Sequence, residues 1–160
     1  RIPDGFHARR KPHSVVLLVG NLHRGVLEAV AYCRSLSPER LIAVTVVADE
    51  DEQEAALERW AKYDVPVDLR VIFSPYRELT RPVLRFIDEH DEEFPDDVLT
   101  VVLPEFVFPH WWQEALHNQS ALVLKARLRM RPNTVVTNVP IHIFAGGPRD
   151  EYVEETSPIE

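Results

Sequence analysis

Ser14-Val15-Val16-Leu17-Leu18-Val19-Gly20-Asn21-Leu22-His23-Arg24-Gly25-Val26-Leu27-Glu28-Ala29-Val30-Ala31-Tyr32-Cys33 is the stretch from which the fold can be read. Val15 to Val19 is an unbroken β-branched and leucine run closed by Gly20, the pattern of a strand buried on both faces. Beyond the polar turn, Val26, Val30 and Cys33, with Leu27 and Ala31 beside them, recur at helical spacing. A doubly buried strand that feeds a helix is the unit from which parallel sheets are built.

The unit repeats. Ser37-Pro38 breaks the first helix, and Leu41 to Ala48 is a second apolar, valine-rich run ending at Asp49. Acidic residues from Asp51 suit a helix N-terminus, and Ala56, Leu57, Trp60 and Ala61 trace one face of the helix behind them. Val67 to Phe73, closed by Ser74-Pro75, predicts a third strand; Leu79, Val83, Phe86 and Ile87 predict a third helix with Pro82 in its tolerant first turn. Val98 to Leu103 predicts a fourth strand, Ala121 to Arg131 a last helix, and Thr134 to Val139 a fifth strand. The expectation is an α/β domain with a five-stranded parallel doubly wound sheet in the order 3-2-1-4-5. Right-handed crossovers then place helices on both faces. Arg1 to His13 reads as a linker, residues 14–145 as the domain and residues 146–160 as an acidic disordered tail.

The totals narrow the function. A chain of 160 residues suits one domain with a single core. A formal net charge of -8 disfavours a grip on nucleic acid, which depends on clustered Lys and Arg. Cys33 has no partner for a bridge, and no run approaches the roughly 20 apolar residues of a membrane span, so a soluble piece in a reducing compartment is expected. The opening Arg1-Ile2-Pro3 suggests a segment of something longer. None of the 7 histidines forms an i, i+4 metal pair. Walker, G-x-G-x-x-G and G-x-S-x-G patterns are absent, so no metal and no catalytic residue is assigned and an enzyme is not expected. A nucleotide hydrolase resting on Glu105 or His117 is the alternative of that class.

In such a sheet a ligand sits beyond the carboxyl ends of the strands, where the order reverses around strand one. Asn21, His23 and Arg24 follow that strand, Asp49 the second, Ser74, Tyr76 and Arg77 the third, and Pro104, Glu105 and Phe106 the fourth. Arg24 and Arg77 are candidate phosphate contacts, and Tyr76 is a candidate stacking surface for a base. The plainer reading makes Ser74-Pro75-Tyr76-Arg77 a turn and helix cap, with Arg77 paired to Glu78 or Asp64. His117, Asn118, Gln119 and Ser120 present imidazole, amides and a hydroxyl ahead of the last helix, where Asn118 or Ser120 could equally serve as a simple cap.

Taken with Val102-Leu103-Pro104-Glu105-Phe106, His110-Trp111-Trp112 and Thr137-Asn138-Val139-Pro140-Ile141-His142, these segments resemble the universal-stress-protein-like cytosolic domain at the C-terminus of permeases of the amino acid-polyamine-organocation superfamily, KimA-type potassium importers among them. The resemblance spans the folded part. It implies a regulatory domain on the cytoplasmic face of a bacterial membrane transporter for potassium or amino acids. It also implies an adenine nucleotide ligand, cyclic di-AMP before AMP or ATP, and a homodimer through strand five, Thr134 to Ile143. The glycine pattern of ATP-binding stress proteins is missing after strand four, which speaks against ATP. The alternatives are a ligand-free dimerisation module of the transporter, or an ATP- or AMP-binding universal stress protein.

Overall fold

A computed structural model describes residues 9–20, 22, 24–104 and 121–139 of the chain. The elements are β1 (His13–Leu18), α1 (Arg24–Ser35), β2 (Arg40–Val47), α2 (Glu50–Lys62), β3 (Asp68–Phe73), α3 (Thr80–Glu93), β4 (Val98–Pro104), α4 (Ala121–Arg129) and β5 (Thr134–Val139). All four strand pairings are parallel, and the order is β3-β2-β1-β4-β5. The expected topology is the one observed. β1 opens at His13, one residue before the expected Ser14.

The alternation of β1 sorts the core into two layers. Val15, Leu17 and Val19 pack with Val26, Ala29, Val30 and Cys33 of α1 and Trp60 of α2. Val16 and Leu18 face the other way, against Val83 and Ile87 of α3 and Leu124 and Leu128 of α4. Val16 lies opposite Ile42 and Val101 in register, so the central strand is enclosed by strands on its edges and helices on its faces. Each such Val or Leu side chain, fully buried, stabilises the fold by about 1.5–3 kcal/mol relative to exposure. This enclosure explains why β1 reads as a continuous apolar run.

The second helix corrects one expectation. Of the face Ala56, Leu57, Trp60 and Ala61, only Trp60 is buried, and Leu57 is exposed. α2 lies over the outer β2 and β3 pair, where the sheet ends and little apolar surface is left to cover. Trp60 anchors it there, its indole N–H donating to the Val67 carbonyl at 2.7 Å.

The N-terminal ends of the strands carry a polar cluster. Asp97 is buried and accepts from the Ser14 hydroxyl at 2.5 Å and from Arg40 at 2.7 Å. The Arg40 guanidinium also lies 3.9 Å above the Phe94 ring. The incoming segment is tied down at this pole. Glu39 accepts from Arg10 at 2.9 Å and from the His13 N–H at 2.6 Å, and the Pro12 carbonyl accepts from Val98 N–H at 2.8 Å.

Candidate functional site

Parallel pairing brings every crossover that leaves a strand end to the same edge of the sheet. At this carboxyl edge a cavity of about 260 Å³ opens beside β1 and β2. Its floor is Val19, Gly20 and Leu22 after β1, Thr45, Val46 and Val47 of β2, and Leu69 of β3. Its roof is α2, through Glu52, Ala55, Ala56, Arg59 and Trp60. The space exists because Ala55 and Ala56 are short where longer side chains would meet the sheet. The cavity is slightly below the roughly 300–1,000 Å³ of pockets that enclose drug-sized ligands.

The second crossover is built from local hydrogen bonds. Asp49 is the N-cap of α2, with its carboxylate accepting from the Glu52 N–H at 2.9 Å. Glu52 reaches back and accepts from the Ala48 N–H at 2.8 Å, a reciprocal arrangement like a capping box shifted by one residue. The third crossover leans on Ser74. Its N–H donates to the Val47 carbonyl at 2.8 Å, its carbonyl accepts from the Arg77 N–H at 2.8 Å, and its hydroxyl accepts from the Glu78 N–H at 2.8 Å. Ser74 is buried and ties the end of β3 to β2 while capping the approach to α3.

Arg77 sits in the left-handed region with φ of 55°, uncommon for a residue with a β-carbon. Its guanidinium stands 3.6 Å from the Glu52 carboxylate. The Glu52 contact is one that the reading from sequence did not name, and Glu78 also pairs with Arg81 at 3.4 Å. Tyr76, one residue earlier, is 95% exposed, a bare aromatic face on the crossover after β3. Arg24 opens α1, a helix with no acidic residue in its first turn, and pairs with Glu28 at 3.1 Å. Pro104 ends β4 at the same edge.

Of the residues singled out in the sequence, Arg24, Asp49, Ser74, Tyr76, Arg77 and Pro104 stand on crossovers or strand ends at this one edge. Asn21, His23, Glu105, Phe106, His117, Asn118, Gln119 and Ser120 lie outside the described residues. The cavity lies on the β2 side of β1; the segment that follows β4, where the sequence also offers candidates, lies outside the described residues. As site residues, the reading from sequence passed over Glu52, Arg59 and Trp60. The signal for them was present: positions 52, 55, 56, 59 and 60 share one helix face.

Among the described residues no helix is long and apolar enough to cross a membrane, and no group of three His, Cys, Asp or Glu side chains is placed to hold a metal. Comparison with known proteins gives the lineage. The chain is 29% identical over 144 residues to the potassium transporter KimA of Bacillus subtilis (strain 168), an alignment covering 89% of this chain and 24% of that protein. The chain thus spans about a quarter of its relative's length. The family model of the KimA potassium transporter C-terminal domain matches residues 10–141, and the chain belongs to that family.

Proposed function

We propose that this domain is the cytosolic regulatory part of a potassium transporter and binds an adenine nucleotide, cyclic di-AMP first, at the carboxyl edge of its sheet. The reading rests on one coincidence. In a KimA-type domain, a cavity sized for a base opens at the edge that also carries Tyr76, Arg77 and Arg24. An apolar slot with a few polar groups at its mouth suits a purine, and guanidinium groups suit its phosphate. The first turn of α1, free of carboxylates, adds backbone N–H groups that favour an anion. Regulation requires the nucleotide to bind one arrangement of the transporter more tightly than another, because equal affinity shifts no equilibrium.

The test is a thermal-shift and calorimetric comparison of the 160-residue chain with cyclic di-AMP, AMP, ATP and cyclic di-GMP. Stabilisation by cyclic di-AMP at micromolar concentration is expected, with weaker effects of AMP and ATP. No shift and no heat with any adenine nucleotide would end the reading.

A second reading is favoured by the β5 edge. β5 pairs with β4 on one side, and on the described residues its other edge meets no strand, with Val135 48% exposed. An open edge is a template for a second chain, and symmetric pairing there would make the domain a homodimerisation module of the transporter. Sedimentation of the ligand-free chain separates the two: a dimer that no nucleotide stabilises supports the module alone.

A further inference from the structure

Glu52 takes part in three arrangements at once. It lines the cavity, it holds the start of α2 by accepting from Ala48 N–H, and it faces Arg77 at 3.6 Å. The last contact is long beside the roughly 2.7–2.9 Å of a tight charge-assisted hydrogen bond. Both side chains are part-exposed, 49% for Arg77 and 35% for Glu52, so water weakens what attraction remains. The pair is therefore loose, and it spans the gap between the roof of the cavity and the crossover after β3.

The charges around it are one-sided. Asp49, Glu50, Asp51 and Glu52 fill the first turn of α2 and its cap, which removes any attraction of that helix end for an anion. An anionic group at the mouth is repelled by this turn and drawn by Arg77, whose guanidinium stands 3.6 Å from Glu52.

We infer that the Glu52–Arg77 pair is an electrostatic gate on the cavity: an anionic ligand enters by taking the guanidinium from Glu52. The inference rests on the nucleotide reading and adds to it the residue that opposes binding. Glu52 lowers affinity by occupying Arg77 and by repelling the phosphate, and it makes occupancy depend on a group that competes for a cation. A neutral base without a phosphate does not open the pair.

The test compares the parent chain with Glu52→Gln, Arg77→Asn and the double variant, using calorimetry with cyclic di-AMP and with inorganic pyrophosphate as probes. Gln keeps an oxygen for the Ala48 N–H, so the cap survives while the charge goes. Asn tolerates the left-handed backbone at position 77, so the turn survives while the guanidinium goes. Glu52→Gln is expected to bind both probes about fivefold tighter, the scale of a lost exposed ion pair. Arg77→Asn is expected to bind at least about tenfold more weakly, as loss of a charge-assisted contact implies, and the double variant to match Arg77→Asn. A purely structural Glu52 would give the opposite sign, weaker binding with a lowered melting temperature. If the parent binds and Glu52→Gln binds equally or less well, the gate is wrong and the nucleotide reading stands. If neither the parent nor Glu52→Gln binds either probe, both fall.

Discussion

Asp97→Ala probes the interaction that holds the entry pole together, and its cost follows from who is left behind. Asp97 is 8% exposed and accepts from Ser14, which is 1% exposed, and from Arg40, whose side chain is 39% exposed. Truncation strands the Ser14 hydroxyl with no water to replace its acceptor, a penalty of about 1–3 kcal/mol. Arg40 recovers solvent and keeps its place over Phe94, so its loss adds only about 1 kcal/mol. The sum is about 2–4 kcal/mol, a large share of the ~5–15 kcal/mol that holds a typical domain folded. Urea denaturation of the parent, Ser14→Ala, Asp97→Ala and the double variant measures it. Because Ser14→Ala removes the orphaned group, the double variant should be less destabilised than the sum of the singles by about 1 kcal/mol or more. A cost for Asp97→Ala below about 1 kcal/mol, or additivity within about 0.5 kcal/mol, would refute the reasoning.

Other outcomes are checkable on the same chain. His90 is buried with its Nε2 unpartnered, and burial holds its pKa below the ordinary imidazole value despite the nearby Asp91, Asp97 and Glu93. The unfolded chain therefore takes up this proton first, so stability falls as pH drops below about 6.5. His90→Leu should flatten that fall, and parallel pH profiles for parent and variant would count against it. The Cys33 thiol is pushed up to about 12 by burial, so native protein at pH 8 should resist alkylation and denatured protein should label within minutes; equal rates would place the thiol at the surface. Leu128→Ala, at a fully buried site between α4 and the sheet, should cost about 2–5 kcal/mol by calorimetry, and a loss under 1 kcal/mol would mean the layer is not packed as described.

The central part of the fold was open to reading because physics leaves few alternatives there. A run such as Val15-Val16-Leu17-Leu18-Val19 has apolar groups on both pleats and is stable only between two helical layers, and this requirement implies a parallel sheet with crossovers. Cys33 falls on the buried face of α1 for the same reason of period. α2 escaped because periodicity reveals which side of a helix is apolar but not how much sheet lies beneath it. Ala56, Leu57, Trp60 and Ala61 look like any amphipathic face, yet the sheet ends under them. The Glu52–Arg77 contact escaped because it joins two different crossovers, a pairing that no local sequence pattern announces. The cavity escaped with them, since it is the space between an underpacked edge helix and two strand ends.

That same underpacking makes α2 the described helix with the fewest buried residues. α3 buries Val83, Ile87 and His90 over 14 residues, whereas α2 buries Trp60 alone over 13. An element with few buried contacts opens at lower free energy than the core it lies on. The ties that hold its two ends include the Trp60 indole on the Val67 carbonyl, and Glu52 on the Ala48 N–H and Arg77. If an anion takes Arg77, the second tie weakens at the N-terminal end of α2, while the tryptophan holds the other end. Hydrogen exchange in the free chain should then show α2 amides exchanging at least about tenfold faster than those of α3 and β1, with the ratio changing when cyclic di-AMP is added. Protection in α2 equal to that of the buried β1 would mean the helix is fixed to the core. The ligand would then have to act through another part of the domain.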